Sequence, residues 1–305
     1  MGCNGLLQVD LVAGSGFSRR TRCRRVCTVR GREGALVVSG TSTRFDQPNL
    51  ARVSDALLGG CDHYEADRAA VRRLLDIAPG AETMAREHRA WLVRVVRFLA
   101  AERGVDQFLD LGSGLPAAEN THQVAQRHNP DARVVYVDND PVVQVHGRAV
   151  LEENDRTHVS GADLTDPGAT LGDPIVYRHL DFDRPMALLL CGVLHHVDVL
   201  DRAQHIARTF AAELCPGSYL VLTHHHAPTD DPPRQALAQL LDSTFEGTAL
   251  ATVHRSRAEI ASFFTGLNLL DPGLGYLHDW WPDGPRLTPL DDLNFLTLGG
   301  VALKT

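Results

Sequence analysis

Asp110, Gly112, Ser113 and Gly114 lie inside the stretch 108-FLDLGSGLPAAE-119, which has the residue types and spacing to hold a nucleoside ligand. Phe108, Leu109 and Leu111 surround the single acid and read as a buried strand. Two glycines spaced two apart then allow a sharp turn and a close backbone approach to a ligand. Gly112, Gly114 and Ala117 also satisfy the dinucleotide pattern G-x-G-x-x-A, so a nicotinamide-dependent oxidoreductase is one reading. Asp110 weighs against it, because a carboxylate two residues before the first glycine repels a pyrophosphate and attracts an ammonium group. A second acid, Asp138, ends the next apolar run, 133-RVVYVDND-140.

Further groups fall at other predicted strand ends. Asp163 follows the run 157–162, and Cys191-Gly192 closes 186–191. Open α/β sheets bind ligands at the carboxyl ends of their strands, so four strands deliver groups to one edge. Histidines cluster at the next positions: His195-His196 after the fourth strand and His224-His225-His226 after the fifth. A zinc or iron site is a fair reading of converging imidazoles, but no carboxylate has a fixed spacing to them, and no metal is expected. Structural histidines are the plainer alternative. His196 or His195 acting as a base, with His224 nearby in the substrate pocket, is the functional one. His63-Tyr64, Trp280-Trp281 and Tyr276 could line an apolar pocket or simply pack in the core.

The elements that must position these groups alternate. Expected are strands at 106–111, 133–138, 157–162, 186–191 and 218–224, with helices at 118–128, 140–153, 199–214, 233–246 and 256–265. A linker runs through Gly168, Gly172 and Pro174, and two closing strands lie near 268–277 and 293–303. This alternation implies an α/β fold with a mostly parallel sheet covered on both faces. Three helices precede it: one opened by Asn49 and stopped at Gly59-Gly60, one at 64–77 and one at 81–103. Arg52, Asp55 and Asp67 on these helices read either as a salt-linked surface or as ligand contacts.

D-L-G-S-G followed by V-Y-V-D resembles the class I methyltransferases that use S-adenosylmethionine. The wider chain is similar to one bacterial family of S-adenosyl methyltransferases with no assigned substrate, through 48-PNLARVSDALLGGCDHYEADR-68, 185-PMALLLCGVLHHV-197 and 264-FTGLNLLDPGL-274. The similarity runs from about 45 to 303. It implies a Rossmann-like seven-stranded sheet, residues 105–305, beneath an N-terminal helical cap, 45–104. It also implies S-adenosylmethionine as cofactor. Asp110, Gly112, Ser113 and Gly114 would meet its methionyl end, and Asp138 the ribose diol, with Asn139 beside it. Asp163 and Leu164 would meet the adenine, and Cys191 and Gly192 would also bind the cofactor from their strand end. Asp163 also reads as a helix N-cap. The expected partner is a small-molecule methyl acceptor. A cofactor-binding regulator that has lost catalysis is the alternative from another class.

Composition sets the outer bounds. The chain has 305 residues, 44% hydrophobic and 22% charged, with a net charge of −8. That is ordinary globular composition, and nucleic acid is not the expected partner. No apolar run approaches a bilayer span, so no membrane partner is expected either. Residues 1–44 differ: eight arginines against Asp10 and Glu33 leave that segment basic, without an apolar period. They read as a disordered basic arm, or as an extension from an upstream start codon. Ser18-Arg19-Arg20 lacks the apolar stretch of an export signal, and Cys3, Cys23 and Cys27 lack a fourth zinc ligand. Lys304 is the only lysine beside 29 arginines, a bias that suggests a bacterial source. Six scattered cysteines suggest a reducing cytoplasm.

Overall fold

The computed structural model describes residues 45–286 and 289–305. The expectations for residues 1–44 lie outside that range. Four parallel strands form the centre: β1 (Gln107–Leu111), β2 (Arg133–Val137), β3 (Thr157–Ser160) and β4 (Ala187–Cys191). β5 (Tyr219–His225) continues them in parallel beside β4. Two two-residue segments, β6 (Asn268–Leu269) and β7 (Gly275–Tyr276), and the long β8 (Thr297–Leu303) complete the sheet. The order is β3-β2-β1-β4-β5-β8-β6, with β7 also on β8. β8 runs antiparallel to β5 over seven residue pairs, from Tyr219 opposite Leu303 to His225 opposite Thr297. Seven strand positions were expected and seven are filled, but eight strands fill them. The expected strand near 268–277 is interrupted at Asp271-Pro272-Gly273, where proline cannot donate to the ladder.

Alternation along each strand builds two cores. Leu109, Leu111, Val135, Val137, Leu188, Leu190, Leu220 and Leu222 face one side with Ala203, Ile206 and Phe210. Phe108, Val134, Tyr136, Ala187, Leu189 and Val221 face the other with Trp91, Val95 and Leu99. Successive side chains point to opposite faces, and both faces are covered, so these strands read as unbroken apolar runs. The connecting helices are α4 (Thr121–His128), α5 (Pro141–Val150), α8 (Leu200–Glu213), α9 (Pro232–Phe245) and the short α10 (Arg257–Ala261). The expected linker after β3 instead holds two short helices, α6 (Pro167–Leu171) and α7 (Pro174–His179). Each starts with proline at its first turn behind an aspartate cap, Asp166 or Asp173.

Three helices precede the sheet: α1 (Leu50–Leu58), α2 (Glu65–Ile77) and α3 (Ala81–Ala101). α3 buries Trp91, Leu92, Val95 and Leu99 against the sheet. Ala78 and Ala81 pack with Ala238 and Leu241 of α9 and with Leu293 and Leu296. The first two helices are joined by a buried ion pair rather than a surface one. Asp67 accepts from Arg52 Nε at 2.8 Å and from the backbone N–H of Asn49 and Tyr64 at 2.9 and 2.8 Å. The layer is also tied to the core: Asn49 Nδ2 donates to Asp140 Oδ2 at 2.6 Å. Trp280 is a core residue, edge-on to Trp91, with its indole N–H on the Gly299 carbonyl at 3.0 Å. Trp281 packs on Phe98 and Tyr276 stacks on His278, so of the two readings, pocket wall or core, these three aromatics follow the packing one.

Candidate functional site

Gly112 and Gly114 adopt φ of 71° and 69°, the left-handed region that side chains avoid. The two differ in what surrounds them. A Cβ at Gly112 would stand 2.4 Å from Val193 Cγ1, so this glycine is also required by packing. At Gly114 nothing lies within 4 Å, and the backbone faces open space. The turn is pinned to the end of β2, where the Val137 carbonyl accepts from Gly112 N at 2.7 Å and from Ser113 N at 3.2 Å. Along this turn and the neighbouring strand ends runs a cavity of about 1190 Å³.

Asp110, Gly112, Ser113, Gly114, Asp138, Asn139, Asp163, Leu164, Cys191 and Gly192 all line that cavity. Asp138 lies just past β2, with Oδ2 accepting from Gly114 N at 2.9 Å and Oδ1 from Asp140 N at 3.0 Å. Each carboxylate oxygen has a second acceptor position, so two contacts to a diol remain available. Burial pushes the Asp138 carboxyl up, against those two N–H bonds. Burial also raises Asp110, opposed by the hydroxyl of Thr121, which donates to Oδ2 at 2.7 Å. A buried carboxyl such as Asp110 favours a cationic group beside it. Asp163 behaves differently: burial works against its charge but is outweighed by hydrogen bonds from Thr165 and Asn139, which hold it below the usual range. Those bonds close a local turn, with Thr165 N–H on Oδ1 at 2.8 Å, and no capped helix starts there. Burial raises the Cys191 thiol well above its ordinary value.

Four residues on the wall carry a buried polar atom without a partner among the described residues: Ser113, Arg89, His195 and His225. The Ser113 hydroxyl and the Arg89 Nε are buried without a hydrogen bond. Arg89, on α3, faces the same space, and its other end donates to the Glu119 carbonyl. Such groups ordinarily have a partner, and a ligand carboxylate would supply one to both.

The histidine runs meet beyond the glycine turn. The His195 ring stacks on His225 at 3.6 Å and stands edge-on to His224 at 5.7 Å and to His196 at 4.3 Å. His224 is committed at both nitrogens. Nδ1 donates to the His225 carbonyl at 2.7 Å, and Nε2 accepts from the Arg255 guanidinium at 2.7 Å. Burial, with the Arg255 charge, drives it down to about 3. It has no lone pair for a substrate, which corrects the expectation of His224 as a substrate contact. His195 is driven well below its ordinary value by burial and by the surrounding imidazoles. His196 is half-buried, and its Nδ1 faces the Ala251 carbonyl at 2.9 Å. A carbonyl only accepts, so Nδ1 carries the proton and Nε2 keeps its lone pair. Burial holds this ring below its ordinary value, so it is neutral near pH 7. Among the described residues no group of histidines, cysteines or acids is arranged to hold a metal ion.

His63 and Tyr64 are not on the cavity wall. His63 pairs with Asp55 at 2.9 Å, and Tyr64 caps α2 against the Phe45 ring. The turn between α1 and α2 directs both away, whereas Asp55 itself lines the cavity.

Other side chains on the wall carry little sequence signal. His88 of α3 meets the Thr223 hydroxyl at 2.7 Å and is pushed down to about 4 by burial. The segment 251–255 folds across both strand ends. Val253 N donates to the His195 carbonyl at 2.8 Å and Arg255 N to the His225 carbonyl at 3.0 Å. It thereby brings His254 into the cluster, stacked on His225 at 4.8 Å, with Asp242 of α9 behind it.

The family model described as S-adenosyl methyltransferase matches residues 39–305. Two solved structures are similar. A candidate methyltransferase of Thermobifida fusca YX is 44% identical, covering 85% of this chain and 96% of that one, with a TM-score of 0.78. A DUF574 family protein of Streptomyces avermitilis MA-4680 is 34% identical, covering 86% and 100%, with a TM-score of 0.80. No curated protein matches the chain.

Proposed function

The chain belongs to the S-adenosyl methyltransferase family and is a methyltransferase that uses S-adenosylmethionine, and from that premise we propose that its acceptor is a small molecule held at the histidine end of the cavity. The nicotinamide reading and the non-catalytic reading both give way to that membership. The observation that carries the proposal is the apolar lining of this end. Leu241 and Phe245 of α9, Leu250, Leu293 and Leu296 line it beneath α2 and α3. A recess walled by apolar side chains under a helical layer suits a compact ligand better than a nucleic acid or a folded protein.

When bound, the cofactor supplies a methyl group already activated by its sulfonium. In this reading the chain holds, orients and dries. Asp138 accepts the ribose hydroxyls beside the open backbone of Gly114. Asp110 sits at the ammonium end, and Arg89 and Ser113 face the carboxylate with the unpartnered Nε and hydroxyl described above. Asn139, Asp163 and Leu164 bound the adenine, and Cys191 with Gly192 forms the floor. His196, neutral and oriented by Ala251, presents Nε2 to the acceptor. His195 and His224 support the wall. The helices of 45–104 act as a cap over the 105–305 core. A bacterial cytoplasm is the compartment in this reading, favoured by the arginine bias and the thiols of Cys191 and Cys215. No helix of the described residues is long and apolar enough to cross a membrane.

The test is a partition of label. The protein is incubated with methyl-labelled S-adenosylmethionine and a bacterial lysate, and small molecules are separated from macromolecules. Label in the small-molecule fraction is the expected result. Enzyme-dependent label confined to precipitated protein or nucleic acid overturns the proposal.

A further inference from the structure

His254, on the cavity wall at the acceptor end, forms an acid–imidazole pair with Asp242 of α9 behind it. The carboxylate accepts at Oδ1 from His254 Nδ1 at 2.7 Å and from the Thr252 hydroxyl at 3.1 Å. Its Oδ2 accepts from the His254 backbone N–H at 3.0 Å. A carboxylate only accepts, so the ring proton is on Nδ1 and the lone pair is on Nε2. Among the described residues Nε2 has no hydrogen-bond partner, and His254 is part of the cavity wall. The neighbouring imidazoles lack this arrangement. His196 is oriented by a carbonyl, His224 is tied to Arg255, and the Nδ1 atoms of His195 and His225 have no partner. A carbonyl can fix a tautomer, but a carboxylate also balances the imidazolium that forms when the ring takes a proton.

We propose that His254, oriented and charge-balanced by Asp242, is the general base of this methyltransferase, and that the acceptor is a planar phenol. This rests on the small-molecule reading above. Two features select a phenol. The rings of His195, His225 and His254 stack at 3.6 and 4.8 Å into an aromatic column, and with Leu241, Phe245 and Leu250 they line this end with the apolar and aromatic surface that an aryl ring packs on. An imidazole is matched to a hydroxyl of pKa about 10 far better than to an aliphatic alcohol. The groups facing His254 are His195 and His196 from the turn after β4, His224, His225 and His226 from β5, Asp242 from α9, and Arg255 beside it. Asp242 is the carboxylate in contact with its ring. In the balanced step the phenol oxygen forms the new O–C bond and its proton passes to His254 Nε2. The electron pair of the broken S–C bond stays on the cofactor sulfur.

The experiment uses the full chain with S-adenosylhomocysteine and para-nitrophenol, whose phenolate has its own absorption band. Calorimetry first establishes that S-adenosylhomocysteine binds to wild type, His254→Gln and Asp242→Asn. Failure there would count against the cofactor site, and equal affinity shows that the variants are folded. At a pH where free para-nitrophenol is mostly protonated, titration with the wild-type complex should raise the phenolate band saturably. His254→Gln should abolish that band and Asp242→Asn should reduce it. With a phenol acceptor found by release of S-adenosylhomocysteine, both variants should lose roughly 10²–10⁴-fold in kcat. Absence of the band in wild type, its retention in His254→Gln, or turnover of amines in preference to phenols overturns the proposal.

Discussion

Replacing Asp138 by alanine should weaken cofactor binding by one to two orders of magnitude. Asp138 stands at the carboxyl end of β2, and each oxygen already accepts one backbone N–H, from Gly114 at 2.9 Å and Asp140 at 3.0 Å. The remaining lone pairs face the cavity, where they would accept two ribose hydroxyls. Charge-assisted contacts of this kind are worth about 1.5–3 kcal/mol net, or roughly 10- to 150-fold in Kd. The substitution also frees the Gly114 N–H and loosens the turn, so Asp138→Asn is the control. One amide oxygen can still accept from Gly114 while the charge is gone, and an intermediate loss is expected. Titration calorimetry with S-adenosylhomocysteine, at equal thermal stability, reads the effect. The pH dependence follows from the same carboxylate. Burial raises it, so the ionised form that accepts from the diol is lost on acidification at a higher pH than for an ordinary carboxylate. Affinity should therefore begin to fall while exposed carboxylates are still ionised. A wild-type Kd in Asp138→Ala would refute the ribose assignment.

Gly112→Ala combines a forbidden φ with a contact 2.4 Å from Val193 Cγ1. It should lower the melting temperature, whereas Gly114→Ala, which meets no atom, should cost less stability and chiefly affect cofactor affinity. Asp67→Ala removes the carboxylate from the buried Arg52 guanidinium, which keeps the Gln47 carbonyl, and takes the acceptor from two backbone N–H groups; it should cost about 3–5 kcal/mol in urea unfolding, and a change under 1 kcal/mol, roughly that of an exposed pair, would contradict its burial. Acid should unfold the protein early. His88 and His224 are depressed from 6.5 to about 4 and about 3, so the unfolded chain binds more protons below 6.5. The stability from their neutral forms is complete above that value and falls as pH drops toward the folded values, by on the order of 2 kcal/mol for each near pH 5. Flat stability from pH 7 to 5 would contradict that burial.

Much of the site was legible because its elements are local. A strand, a glycine turn and a terminal acid occupy consecutive residues, so 108–114 and 134–138 announce their geometry in one dimension. Unbroken apolar runs with regular connecting helices specify a parallel sheet in the same way. What the sequence could not determine is which side chains meet from distant segments. His63 and Tyr64 resemble pocket residues, yet the turn between α1 and α2 sends them outward, and Trp280 reads as a wall but is taken up by Trp91 and the Gly299 carbonyl. His224 looks like a free imidazole until Arg255, 31 residues later, takes its lone pair. Asp242 and His254 carry no motif at all, because the loop between them sets the contact rather than a helical or strand repeat. Only the crossing of segment 251–255 over the ends of β4 and β5 brings His254 to the cavity with Asp242 behind it, since backbone hydrogen bonds to His195 and His225 fix the loop there.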